Sequence, residues 1–350
     1  MKFTTNEMKD AAKVVGMFVP SKSPLPSAEC IYIEAQTDGV VWLRTSDPMG
    51  AAAALMIHAR VEEPGAAFVT AKTLNAVLGK MGDEITVESD GKVCTITTGD
   101  TEVKMAVLSD DYKKPMHIDG KPVLISGQNF IDIVNGISFA AAADTSVHSG
   151  AKFEIYCGML TAVCLDGFRM AVRSCAVDAP DGEFIIPVRL LADLARIVDD
   201  EVKIYYNDKA VRIQSGILNI TVPQLKGDYL KWKNAIPGAE KTIVTAAKKD
   251  LIAKLDLLNA VNDGKKPVVM QFNDSVCELS VQTVMSAIRD KIGVKMQGDA
   301  VTIGFNPKFI YEAVKAADEE IEIHLNGAIS PITIKGDGFL YLVLPVKVKE

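Results

Sequence analysis

Gly304-Phe305-Asn306-Pro307-Lys308-Phe309-Ile310 is the stretch on which the reading of the fold turns. A β-like run meets a helix-start signal, a basic residue follows, and the apolar residues Ala313 and Val314 then continue at helical spacing. The same order stands earlier in the chain. Ile185-Ile186-Pro187-Val188-Arg189-Leu190-Leu191 leads into Leu194-Ala195, and Phe68-Val69-Thr70-Ala71-Lys72-Thr73-Leu74 leads into Val77-Leu78. Lys72, Arg189 and Lys308 hold matching places, 117 and 119 residues apart.

A second triple repeats with nearly the same period. Phe3-Thr4-Thr5-Asn6 opens a stretch to Met17, Leu124-Ile125-Ser126 a stretch to Phe139, and Val244-Thr245-Ala246-Ala247 a stretch to Asn259. Each reads as an extended entry followed by an amphipathic helix. Asn6 and Ser126 suit the N-cap, where a side-chain oxygen takes an orphan backbone N–H; Ala247 cannot do so. Short alternating strands lie between the helices: 31–35, 86–88 before Asp90-Gly91, 203–206 before Asn207-Asp208, and 276–280. The apolar run Phe339-Leu340-Tyr341-Leu342-Val343-Leu344-Pro345-Val346 reads as a closing strand. The expected fold is α+β, with three repeated domains at 1–119, 120–238 and 239–350, each two helices packed on antiparallel sheet. The boundaries fall at the turn signals Asp119-Gly120 and Pro237-Gly238.

Composition narrows the function. The chain of 350 residues is 48% hydrophobic and 24% charged, ordinary for a globular protein, and its net charge of −7 disfavours coating nucleic acid by global charge. The longest strongly apolar run, Ala51 to Ile57, is far short of the ~20 residues of a membrane span, and the N-terminus has no signal-peptide pattern. A cytoplasmic location is expected. Cys30, Cys94, Cys157, Cys164, Cys175 and Cys277 form no CxxC hook and are expected as small buried hydrophobes.

The second helices run against the net charge. Residues 70–81 hold Lys72 and Lys80 and no acid; 187–198 hold Arg189 and Arg196 against Asp193; 306–317 hold Lys308 and Lys315 against Glu312. Spaced seven apart, Arg189 and Arg196 would share a helix face, as would Lys308 and Lys315. On one helix this would read as a solvated face with the i,i+4 pairs Arg189–Asp193 and Lys308–Glu312. Three times over in an acidic chain, it points to a shared basic surface for a phosphate backbone, read by charge and not by sequence. No aromatic-rich platform accompanies these residues, which argues against a single-strand binder.

No catalytic or metal constellation is visible. His58, His117, His148 and His324 are scattered without ligand spacing, and neither a P-loop nor Gly-x-Ser-x-Gly occurs. Asp110-Asp111 reads as a polar turn, and Asp166-Gly167-Phe168-Arg169 as a tight hairpin with Gly167 at positive φ. No cofactor is expected, and the chain reads as a binding or scaffolding protein.

Four stretches carry a resemblance: Thr161-Ala162-Val163-Cys164-Leu165-Asp166-Gly167-Phe168-Arg169-Met170-Ala171-Val172-Arg173, Ile303-Gly304-Phe305-Asn306-Pro307-Lys308, Gly327-Ala328-Ile329-Ser330-Pro331, and Tyr341-Leu342-Val343-Leu344-Pro345-Val346. Over essentially the whole chain, the sequence resembles the β subunit of bacterial DNA polymerase III, the sliding-clamp family. The resemblance implies a head-to-tail homodimer that forms a ring of six domains, with twelve helices around the hole. At ~10 Å per helix, the hole is roughly 28 Å wide. It implies a non-catalytic processivity factor, partnered by double-stranded DNA, a replicative DNA polymerase, a clamp loader and other proteins with a clamp-binding motif. Lys22, Lys72, Arg189 and Lys308 would face the hole by alignment, and Lys80, Arg196 and Lys315 by helical phase. The family's peptide cleft matches His148, Leu165, Gly167, Phe168, Arg169, Met170, Leu230, Asn234, Ala235, Ile329, Leu344, Pro345 and Val346. The chain departs from the family where Leu165 and Phe168 stand for Thr and His, and where Tyr229-Leu230-Lys231-Trp232 replaces Phe-Pro-Asp-Tyr. These departures mark a divergent member and leave open a clamp-like paralogue with altered partner specificity.

Overall fold

The computed structural model describes residues 1–20, 22–47, 50–108, 116, 118–238, 240–262 and 266–348. Asp110-Asp111 and His117 lie outside the described residues. Six α-helices stand among those described: α1 (Thr5–Gly16), α2 (Ala71–Leu78), α3 (Gly127–Ile137), α4 (Val188–Leu194), α5 (Lys248–Val261) and α6 (Pro307–Ala316). All described strand pairs are antiparallel, so the expected α+β class holds. None of these helices is long and apolar enough to cross a membrane.

The helices begin where local chemistry allows. Asn306 caps α6, its side-chain oxygen accepting the Lys308 N–H at 3.0 Å, with Pro307 as the first helical residue. Ser126 accepts the Asn129 N–H at 3.1 Å at the start of α3. Asn6 is not a cap: the cap position falls two residues earlier, at Thr4, whose hydroxyl donates to the Glu7 carboxylate at 2.6 Å. Helix α5 starts after Ala247 with no side-chain cap. Each long helix buries one stripe, such as Leu251, Leu255 and Leu258 of α5 or Ile310, Ala313 and Val314 of α6.

Contacts divide the chain into two compact units. One comprises Met1–Phe130 with Arg189–Gln224, the other Ile131–Val188 with Leu225–Glu350. The first holds an eight-stranded sheet and a four-stranded sheet that ends on Thr101–Ala106, with α1 against α2. The second holds a nine-stranded sheet and a four-stranded sheet that ends on Ala287–Gly293, with α5 against α6. Alternate residues point into the cores, as Val268, Met270 and Phe272 do. Each such side chain contributes about 1.5–3 kcal/mol when fully buried.

One strand junction occurs twice. In the first unit, Ala52–His58 pairs with Leu218–Pro223, setting Ala52 opposite Thr221 and Leu55 opposite Leu218. In the second, Arg169–Ala176 pairs with Phe339–Val343, setting Met170 opposite Leu342 and Arg173 opposite Phe339. The counterparts of these strands are Ala287–Gly293, which follows the hairpin pair Gln282–Ala287, and Thr101–Ala106, which follows Thr98–Thr101. Among the described residues, both lie unpaired on one side, at sheet edges.

The closing strand is shorter than its apolar run suggested. It ends at Val343, and Val346 then makes an isolated bridge to Gly304. Pro345 has no N–H to continue a ladder. The cysteine expectation also needs correction. Cys30, Cys94, Cys164 and Cys277 are buried, but Cys175 is half-buried and Cys157 exposed. Cys157 sits at φ +49° in a hairpin turn, where the chain reverses away from the core.

Candidate functional site

The second unit carries an ordered hairpin turn between the strands Met159–Leu165 and Arg169–Ala176. The Asp166 carboxylate accepts the backbone N–H groups of Phe168 at 2.9 Å and Arg169 at 3.0 Å. Gly167 takes φ +85°, as expected, a conformation that costs little without a Cβ. This turn sends its last two side chains opposite ways. Phe168 is 62% exposed, whereas Arg169 folds back and is 7% exposed.

Arg169 is held by two carboxylates and two aromatic rings. Its Nε donates to Asp166 at 3.0 Å, and its Nη1 pairs with Glu312 of α6. The guanidinium lies 4.3 Å from the Phe309 ring centroid and 5.5 Å from that of Phe139. The Phe168 ring stands 6.2 Å from Phe309, and the Phe168 carbonyl accepts the Leu344 N–H at 2.9 Å. Under the turn lies an apolar floor of Val163, Leu165, Met170, Val172, Trp232 and Leu342, with Tyr229, Ile236, Leu340 and Leu344 packed against it.

A second rim is built from 148–149 and 229–235. The Tyr229 hydroxyl lies 3.0 Å from the Val163 carbonyl and 3.2 Å from that of Gly150. Burial pushes this phenol well above its ordinary range. The His148 ring packs 5.0 Å from Tyr229, and its Nε2 accepts the Leu230 N–H at 3.4 Å. Trp232 Nε1 donates to Glu154 at 3.3 Å, and Lys152 and Lys233 pair with the same carboxylate at 3.2 and 3.3 Å. Burial raises the Glu154 pKa, but the bonds from Lys152, Trp232 and Lys233 outweigh it, and the group sits below the usual carboxylate value.

Of the residues singled out from sequence, Gly167, Phe168, Leu230, Asn234, Ala235, Ile329 and Val346 are exposed. His148, Leu344 and Pro345 are half-buried. Leu165, Arg169 and Met170 are buried, so they support this surface more than they present themselves on it. Ile329 is 84% exposed on the loop that follows the strand Glu320–Leu325. Phe139, Phe309 and Glu312 were not singled out, yet they hold Arg169. Glu312 read as the i,i+4 partner of Lys308; its real partner lies 143 residues away in sequence.

The basic residues Lys22, Lys72, Lys80, Arg189, Arg196, Lys308 and Lys315 are all exposed. Two helical-phase expectations are corrected. Helix α2 ends at Leu78 with Gly79 as its cap, so Lys80 lies in the following turn. Helix α4 ends at Leu194, so Arg196 also lies in a turn and shares no helix with Arg189. In both cases the helix stops two residues short of the basic side chain. Only Lys308 and Lys315 share a helix, α6. The expected i,i+4 pairs are absent too: Asp193 pairs with Arg196 at 3.4 Å, and Glu312 with Arg169. Among the described residues, Lys72, Arg189 and Lys308 enter no salt bridge, and no group of three or more His, Cys, Asp or Glu side chains could hold a metal ion.

Comparison with known proteins points one way. The family model described as "DNA polymerase III beta subunit, central domain" matches residues 124–231, and "DNA polymerase III beta subunit, C-terminal domain" matches residues 233–346. The beta sliding clamp of Synechococcus elongatus is 23% identical, with 99% of this chain and 98% of the relative covered. The crystal structure of the Bacillus subtilis DNA polymerase sliding clamp superposes with a TM-score of 0.94 at 20% identity, over 99% of each chain. That of the Pseudomonas aeruginosa sliding clamp bound to griselimycin gives a TM-score of 0.93 at 17% identity, over 99% of each chain.

Proposed function

The chain belongs to the family of the DNA polymerase III beta subunit, and we propose that it is a sliding clamp: a homodimeric ring that encircles duplex DNA and tethers a replicative polymerase to it. The observation that carries this reading is the repeated strand junction. Two such junctions are made inside the chain, and the two strands that would make a third, Ala287–Gly293 and Thr101–Ala106, are left at sheet edges. An open edge is a template for pairing with another chain. Joining the first edge of one copy to the second edge of another, twice, uses up both edges and closes a head-to-tail ring. Each copy supplies three domains, 1–119, 120–238 and 239–350, in keeping with the repeated order of helix and hairpin.

Such a ring holds DNA by topology, so its contacts can be weak. Lys22, Lys72, Lys80, Arg189, Arg196, Lys308 and Lys315 would face the hole and attract phosphates without reading sequence. At physiological salt this attraction fades over ~8 Å, which lets the ring slide without locking a register. The net charge of −7 leaves the remaining surface acidic and disfavours DNA outside the hole. The clamp performs no chemistry of its own and works in the cytoplasm, on the nucleoid.

The Phe168 turn and its rims serve as the docking cleft for polymerase, clamp loader and other clamp-binding proteins. Phe168, Leu230, Ile329 and Val346 offer exposed apolar surface, His148, Leu344 and Pro345 the partly buried edge, and Leu165 and Met170 the floor. Gly167, Asn234 and Ala235 keep the approach low, and Arg169 fixes the turn. An apolar groove of this kind suits an extended peptide bearing Leu or Phe.

The test is retention on circular DNA. Light scattering at low micromolar concentration should give about twice the chain mass of 37.7 kDa. Loaded rings should stay on a nicked circle and run off once it is cut. Equal retention on circle and linear DNA would remove topology as the basis of binding.

A further inference from the structure

Val284 and Met285 form the tip of the hairpin between the strands Val276–Gln282 and Ala287–Gly293. At 92% and 94% exposed, they are the most exposed large apolar side chains among the described residues. We propose that this tip plugs into an apolar depression on a second copy of the chain, lined by Tyr32, Phe68, Val107 and Leu108. The inference rests on the ring reading and adds the contact that anchors its junction.

The register follows from the two junctions already made. Leu218 and Phe339 each close a terminal hairpin, opposite Ser215 and Gly336, as Thr101 does opposite Thr98. Ala52, Met170 and Ala287 each pair with the last residue of the preceding strand: Ser46, Leu165 and Gln282. Leu218 faces Leu55 and Phe339 faces Arg173, three residues beyond Ala52 and Met170 in both cases. The third junction then sets Thr101 opposite Asp290, Glu102 opposite Arg289, and Val103 opposite Ile288. Two independent features agree with it. Val103 and Ile288 both point to the inner face, between the exposed neighbours Glu102 and Lys104 and the exposed neighbours Arg289 and Ala287. Glu102 and Arg289 bring opposite charges together.

Carried past the strand ends, the same register sets Met285 opposite Ala106 and Val284 opposite Val107. The second junction shows that this extension is made: Phe168, the counterpart of Met285, accepts the N–H of Leu344, the counterpart of Ala106, at 2.9 Å. On the first unit, Leu108 donates its N–H to the Phe68 carbonyl at 2.9 Å and Val107 to that of Lys92 at 2.8 Å, which fixes the wall of the depression. Tyr32 and Phe68 meet edge to face at 5.8 Å, and the depression they help line measures 280 Å³. Most of its lining side chains are apolar, with Lys92 and Tyr32 the residues that carry polar groups, which suits a Val-Met tip.

The experiment is dimer dissociation by sedimentation for wild type, V284D/M285D, E102R and E102R/R289E, with circular dichroism confirming the fold. Both tip residues are exposed, so their replacement leaves each unit intact. The tip variant should raise the dimer dissociation constant at least about a hundredfold, because two junctions each lose two buried side chains. E102R should weaken the dimer, and R289E in the same chain should restore it. In a C157S background, V284C with V107C should give a covalent dimer on oxidation. A wild-type dimer that neither loses affinity with V284D/M285D nor forms this crosslink overturns the tip contact while the ring stands. A wild-type monomer at micromolar concentration overturns the ring, and the tip contact with it.

Discussion

Replacing Arg169 by Met keeps the apolar stem of the side chain but removes the guanidinium that lies over Phe309 and Phe139. Asp166 and Glu312, both half-buried, then lose their shared cation. Breaking a buried pair from one side costs about 3–5 kcal/mol, and partial exposure of both acids puts this case near ~3 kcal/mol. Loss of the cation over the ring adds up to about 1 kcal/mol. The assay is urea unfolding followed by Trp232 fluorescence in a W42F background, so that the signal comes from the unit holding the turn. With a slope of about 2–3 kcal/mol/M, the midpoint should fall by about 1 M or more. R169M/E312Q should regain about 1–2 kcal/mol, because the stranded Glu312 charge is gone. An R169M midpoint equal to wild type, or strict additivity in the double variant, would refute the claim that this pair organises the turn.

Other outcomes follow from the same residues. R189E/K308E should shorten retention on circular DNA and reduce the salt slope by about 0.9 for each phosphate no longer neutralised, with the dimer unchanged in sedimentation. F168A should weaken a Leu/Phe-bearing clamp-binding peptide about tenfold in fluorescence anisotropy, since the ring offers apolar surface directly to solvent. The folded pKa of Glu154 lies below its unfolded value near 4.5, so its contribution is present above that pH and is lost as pH falls beneath it. Wild type should therefore lose more stability than E154Q in acid melts below about pH 4.5, and at pH 7 the order of midpoints should favour wild type. G298A should destabilise by about 1–3 kcal/mol in a thermal melt, since Gly298 holds φ +111° and a Cβ there would meet the Lys241 carbonyl.

Much of the architecture is local and could be read without a structure. The run 304–310 carries its own cap and its own helical stripe, and Asn306, Pro307, Ile310 and Val314 behave as their spacing says. The turn at Asp166–Arg169 is likewise set by Asp and Gly side-chain chemistry within four residues. Helix ends were less legible. Lys80 and Arg196 fell outside their helices because α2 and α4 stop early, at Leu78 and Leu194. Short helices owe their length to tertiary packing more than to propensity.

The sequence by itself determined the repeat, the α+β class and the placement of basic residues near each second helix, because these depend on periodicity and on side chains within one helical turn. Only the tertiary structure decided which of those side chains are free. Glu312 could be assigned to Lys308 by spacing, yet it turns to Arg169, because a buried guanidinium needs two carboxylates more than a solvated lysine needs one. The open edges 101–106 and 287–293, and the bare tip at Val284–Met285, were equally invisible. An edge is defined by the partner a strand lacks, and strand pairing is a long-range choice that no local pattern encodes.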